Sequence, residues 1–210
     1  MKVHAVAPLV VCETTIPGFR KTLIKYYKDH SFDSRTGLIT GELNGKVLVH
    51  KDPKFAPFFK QVKNKVEEYM GLFSFDISKC DLNFVKSWYT VCDPKFNVPA
   101  HHHSCSHISY VYYLNVENND PLFFKFDNPN EWFGDSFSFC KERDGVNSLL
   151  YKVQPLPETL LIFPGKVTHY TNSSRNSDRM CIAGDIVLTL KEDVLDYESG
   201  LLPNTHWKQF

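Results

Sequence analysis

Helical periodicity ends at Gly71, and that break narrows the possible folds more than any other feature of the sequence. Ahead of it, Phe19, Leu23, Ile24 and Tyr27 share one face of a helix expected over 17–30. Phe58, Phe59, Val62, Val66, Tyr69 and Met70 do the same over 53–70. Asp52 before Pro53 predicts an N-cap with Pro in the first turn, and Gly71 a stop. Between the two helices, Asn44-Gly45 amid short apolar stretches predicts a small hairpin. Beyond Gly71 the segments 82–91, 106–116, 121–126, 159–163 and 179–190 are rich in Val, Ile, Tyr, Phe and Thr. Turn-forming clusters at 117–120 and 172–174 separate them. Helices first and strands afterwards predict an α+β layout in which helices brace a mostly antiparallel sheet or barrel. No repeat or linker divides the chain, so 1–210 reads as one domain. Its parts are a helical and hairpin region over about 1–71, a β core over about 72–192 and a short tail.

Charge excludes some partners. Twenty-four basic residues balance 24 acidic ones, so nothing electrostatic points to nucleic acid. No apolar run approaches the ~20 residues of a membrane span, and neither a membrane nor a signal peptide is expected. The six cysteines lack CxxC spacing. They read as reduced thiols of a cytoplasmic protein rather than as a zinc ribbon or a disulfide framework.

The chemistry concentrates in Pro99-Ala100-His101-His102-His103-Ser104-Cys105-Ser106-His107, which runs straight into the strand-like 108–114. Residues two apart in an extended chain point to the same side, so His101 and His103 can face one point while His102 faces away. Neutral imidazoles bind Fe, Zn, Cu or Ni. A third ligand must come from a distant strand, and His169, after Phe163-Pro164, is the candidate. His102 and His107 are weaker candidates, better read as second-layer or surface residues. Ten residues beyond His169, Arg179 opens an apolar strand, where a guanidinium needs a counter-anion. Its fork matches the carboxylate of a small dicarboxylic acid, while a structural pair with Asp178 or Asp185 is the plainer alternative. Thr90 and Tyr113 could hydrogen-bond the same cofactor, or simply pack. Asp185 shares strand parity with Arg179 and could face inward, to substrate or to Arg179 itself.

At these residues the chain resembles the 2OG-Fe(II) oxygenase family. His101-x-His103 followed by Ser109-x-Val111-Tyr112-Tyr113 is similar to its HxH…SGVYY signature. Phe163-Pro164, His169 and Arg179 resemble its FP…H…R segment, and Ser87-Trp88-x-Thr90 its tryptophan strand. The likeness extends to the Ala7–Val10 start and the helix near 55–70. It implies a double-stranded β-helix of jelly-roll or cupin type, Fe(II), 2-oxoglutarate, and hydroxylation of an unidentified substrate with release of succinate and CO2. Two departures stand out. Tyr110 replaces the usual Gly of SGVYY, adding bulk near the site, and His103 stands where the usual triad has a carboxylate. Two rivals follow. One is a three-histidine cupin-like dioxygenase that does not use 2-oxoglutarate, the other a non-catalytic β-barrel binding module. Part of 128–154 reads as a long loop, and within it 128–133 reads as either part of a substrate lid or a packed surface loop.

Overall fold

Alternation along the strands sends the large side chains to two different cores. The computed structural model describes residues 9–29, 38–40, 46, 48–136, 140–172, 176–194 and 200–208. Asn44-Gly45 and the Ala7–Pro8 part of the N-terminal likeness lie outside the described residues, as do Ser173 and Ser174 of one predicted turn. One sheet contains β1 (Cys12–Thr15), β2 (Leu38–Thr40), β3 (Cys80–Cys92) and β4 (Ile108–Asn115). The second contains β5 (Leu122–Lys125) and β6 (Leu150–Val153). The chain then returns to the first with β7 (Thr159–Pro164), crosses again with β8 (Thr168–Thr171), and finishes in the first with β9 (Arg179–Leu190). Strand order is β1-β7-β4-β9-β3-β2 in the larger sheet and β6-β5-β8 in the smaller, with every pairing antiparallel. That winding, back and forth between two facing sheets, is the double-stranded β-helix.

Between the sheets lie Val111, Tyr113, Leu122, Phe124, Val153, Leu161, Phe163 and Cys181. The opposite face of the larger sheet carries Tyr89, Tyr110, Tyr112, Leu160, Ile162, Ile182 and Ile186 under helices α1 (Arg20–Asp29) and α2 (Ala56–Gly71). Each fully buried large apolar side chain contributes ~1.5–3 kcal/mol. The tyrosines also tether the N-terminal part through their hydroxyls. Tyr89 donates to the Leu23 carbonyl at 3.0 Å, Tyr112 to Ile16 at 2.8 Å and Tyr69 to Val10 at 3.1 Å. A register shift between Phe84 and Lys86 inverts the parity of β3. Phe84 packs on the helix side, but beyond the shift it is Lys86, Trp88 and Thr90 that pair with the barrel-facing Asp185, Ala183 and Cys181.

The helices start later than the expected ranges. Pro17 and Gly18 form a turn, with Gly18 at φ +92, and α1 begins at Arg20. Asp52 does cap, accepting from the Lys54 amide, but it caps a 3-10 turn (Pro53–Phe55) that leads into α2. Strands β1, β6 and β8 have four residues each and no apolar run like the Leu122-Phe123-Phe124 of the equally short β5, and the sequence reading missed them. Of the expected loop 128–154, β6 occupies the end. The described remainder is held by Asn128, which donates to the Val146 and Ser148 carbonyls, and by Asp135, which accepts from the Leu149 amide.

Candidate metal centre

Backbone pairing, not side-chain preference, assembles the three histidines. The His101 amide donates to the His169 carbonyl at 3.1 Å and the His169 amide to the His101 carbonyl at 2.9 Å, an isolated antiparallel bridge that sets the loop before β4 beside β8. His103 donates from its amide to the Gly165 carbonyl at 2.8 Å, and Gly165 donates to the His107 carbonyl at 3.1 Å. Gly165 is required for that approach, because a Cβ there would run into the Ser106 carbonyl. The imidazole centroids of His101 and His169 are 4.3 Å apart, with His103 at 5.2 and 5.3 Å from them. One ring atom from each of the three lies within 4.8 Å of the others.

The atoms facing one another are set by what holds the far side of each ring. His101 Nδ1 lies 2.8 Å from the Pro99 carbonyl and His169 Nδ1 3.0 Å from the Val167 carbonyl. His103 Nδ1 lies 2.8 Å from Asp185 Oδ1. Carbonyl and carboxylate oxygens only accept, so all three rings carry a proton on Nδ1, and a ring in its neutral form leaves the lone pair on Nε2. Burial, reinforced by the neighbouring His101, lowers the pKa of His169 to about 3, which keeps it neutral and ready to ligate. Trp88 stacks on His103 with centroids 5.8 Å apart and 21° between planes, fixing the plane of that ring. His102 meets Ser104 on the surface, and His107 Nδ1 accepts from the Leu188 amide, so neither joins the cluster.

A cavity of about 310 Å³ opens from this cluster into the barrel, within the ordinary ~300–1,000 Å³ of small-molecule sites. Thr90, Val111, Tyr113, Leu122, Phe163 and Arg179 are among its walls. The counter-anion of Arg179 is neither Asp178 nor Asp185. Its Nη1 lies 2.7 Å from Asp120 Oδ1 and donates to the Asp120 carbonyl at 2.8 Å, while Nη2 donates to the Tyr113 hydroxyl at 2.9 Å. The guanidinium also sits over the Tyr113 ring, 4.9 Å from its centroid. Asp120 escaped the sequence reading because it lies in an Asn-Asn-Asp turn, where acidic residues are ordinarily solvated. Thr90 pairs across the sheet with Cys181, and Cys181 with Tyr113, so these residues form one layer of the barrel wall. Burial pushes the Cys181 thiol up to about 12, so it offers no thiolate to a metal. Asp185 does face inward, but towards His103. Tyr110 does not crowd the site as its bulk suggested. It pairs with Gly184, its ring packs with Phe84 in the helix-side core, and its hydroxyl bonds Ser87 at 2.6 Å.

Fold and site together define a jelly-roll protein in which three histidines that could hold a metal ion line an interior cavity. The donor set fits Fe(II): three imidazoles gathered at one place, with the cavity beside them. Residues 86–185 match the family described as "Putative 2OG-Fe(II) oxygenase". Among solved structures the chain is similar to a Pseudomonas putida prolyl-4-hydroxylase, with 12% identity, TM-score 0.54, and 86% of this chain and 92% of that one covered. HygX from Streptomyces hygroscopicus, with nickel and 2-oxoglutarate bound, aligns at 12% identity and TM-score 0.54, over 85% of this chain and 83% of its own. SnoN, a non-heme alpha-ketoglutarate-dependent epimerase from nogalamycin biosynthesis, aligns at 8% identity and TM-score 0.56, over 88% and 82%. These likenesses establish the fold. No curated protein matches the sequence significantly.

Proposed function

We propose that the chain is an Fe(II)- and 2-oxoglutarate-dependent oxygenase that hydroxylates its substrate, with His101, His103 and His169 as the metal ligands. The observation that carries this reading is the convergence of one ring nitrogen from each of three histidines beside a cavity whose wall includes a buried guanidinium. Bound Fe(II) and 2-oxoglutarate would supply the oxidising chemistry, with succinate and CO2 as coproducts. The protein's part is positional. The histidines hold one face of the metal and leave the other to the cavity. Asp120 and Tyr113 take up Nη1 and one hydrogen of Nη2, so Nε and the second Nη2 hydrogen of Arg179 can meet the distal carboxylate of 2-oxoglutarate. The hydroxyls of Thr90 and Tyr113 line the same cavity and can add hydrogen bonds. Val111, Leu122 and Phe163 exclude water from it. The β core, about 72–192, would carry all these groups, with the helical part as its brace in a single domain. Six free cysteines favour a reducing, cytoplasmic setting, and no described helix is long and apolar enough to cross a membrane.

The test is anaerobic addition of 2-oxoglutarate to Fe(II)-loaded protein, followed by O2. Chelation should give a weak visible absorption band, and oxygen should then yield succinate without the true substrate. Iron binding with neither band nor succinate would remove 2-oxoglutarate from the mechanism. The three-histidine dioxygenase would then be the better reading, and Asp120 is the observation that favours it, because it already neutralises Arg179. A protein that binds no iron would be the binding module.

A further inference from the structure

We infer that Asp185 replaces, from behind His103, the carboxylate that the ligand set lacks. It acts as a positioning residue: it holds the proton on Nδ1 and lends negative charge to the Nε2 that faces the metal. The inference rests on the metal centre proposed above and is independent of 2-oxoglutarate. Three observations carry it. Of the three ligand rings, His101 and His169 are held by backbone carbonyls, whereas His103 is held by a carboxylate, at 2.8 Å. A carboxylate hydrogen-bonded to a ligating imidazole raises its basicity and fixes its orientation. His103 is also the ring that occupies the position of the usual acidic ligand, so the anion enters at the place where charge is missing.

The second observation is how Asp185 is built in. It sits on β9 between β3 and β4, opposite Lys86 on one side and Ser109 on the other, and is 2% exposed. Ser109 Oγ donates to the same Oδ1 at 2.9 Å, and the Lys86 ammonium stands 3.7 Å from Oδ2. A carboxylate this buried is kept only where donors surround it, and His103 is one of the three. The third observation is that Asp185 does not join the cluster of converging ligand atoms, which among the described residues holds the three histidines. Its carboxylate contacts the ligand ring and stands behind it as seen from the cluster. Lys86, over the Trp88 ring and partly exposed, draws on the same carboxylate and sets how much of that charge His103 receives.

The experiment is titration of metal-free protein with Co(II), read by its visible d–d absorption. Asp185→Asn keeps size and an acceptor oxygen but removes the charge, and should bind Co(II) roughly 10- to 100-fold more weakly. Lys86→Met should tighten Co(II) binding in the wild-type background and leave it unchanged beside Asp185→Asn. An Asp185→Asn protein with native circular dichroism and wild-type Co(II) affinity would overturn the inference, since a merely structural Asp185 predicts that result. If Asp185→Asn does not fold, Lys86→Met alone decides: tighter binding supports the inference and unchanged binding overturns it. A wild-type protein that binds no Co(II) would sink the metal centre itself, and this inference with it.

Discussion

Replacing Arg179 by Met should produce two losses that a second substitution can separate. Arg179 and Asp120 are 3% and 2% exposed, and their side chains meet at 2.7 Å. Removing the guanidinium alone strands a carboxylate in the barrel wall, which costs about 3–5 kcal/mol. For a chain of this length that lowers Tm by about 6–20 °C, at 2–4 °C per kcal/mol. If Arg179 also anchors 2-oxoglutarate, the variant loses a further ~2–5 kcal/mol of cosubstrate binding, roughly 30- to 4,000-fold in Kd. Arg179→Met combined with Asp120→Asn removes both charges, so most of the stability should return while the binding loss stays. Thermal melts by circular dichroism read the first effect, and anaerobic titration of the Fe(II) protein with 2-oxoglutarate reads the second. A double variant that binds 2-oxoglutarate as the wild type does would refute the anchoring role and leave Arg179 as a structural partner of Asp120.

Three further outcomes are expected. Single Ala substitutions of His101, His103 or His169 should each abolish most iron occupancy, measured by metal analysis after desalting, whereas His102→Ala, exposed and paired with Ser104, should not; equal loss at all four would indicate a loose histidine cluster. Gly184→Ala should destabilise by about 1–3 kcal/mol, because the new Cβ would collide with the Tyr110 ring, which Ser87 pins and Phe84 packs against. In a Tyr110→Leu background the cost of Gly184→Ala in urea unfolding should shrink, and additivity would show that the ring is not the obstacle. Finally, the unfolded chain protonates His169 near pH 6.5 and the folded chain only near 3, so between these values the unfolded state binds more protons. Metal-free protein should therefore lose stability as pH falls from about 6.5, by up to ~1.4 kcal/mol per unit from this residue. His169→Gln should flatten that slope, and an unchanged slope would place the titration elsewhere.

Local chemistry alone determined much of this protein. The end of helical periodicity at Gly71, followed by runs rich in Val, Ile, Tyr, Phe and Thr, separated bracing helices from barrel, and it was visible because α2 makes several turns and β3, β4 and β9 are long. His-x-His parity identified His101 and His103 while excluding His102, and Arg179 at the head of β9 was recognisable as a charge needing an anion. The four-residue β5 was legible through its Leu122-Phe123-Phe124 run, whereas β8 offers only Thr168-His169-Tyr170-Thr171, so the sequence left β8, and with it the pairing of His169 to His101, without a place.

The partners were decided in three dimensions. Whether Arg179 meets Asp178, Asp185 or Asp120 depends on the turn after β4 folding over the barrel, 59 residues away in the chain. Which face Trp88 and Thr90 occupy depends on one extra residue between Phe84 and Lys86, and no local preference announces such a shift. Tyr110 is harmless because its cross-strand neighbour is Gly184. Asp185 reaches His103 for the same kind of reason: strand register puts it opposite Ser109, and the backbone bonds of the 101–107 loop bring the ring to it. Sequence spacing specifies which side of its own strand a residue takes. Contacts between strands depend on register and closure, which are properties of the whole barrel.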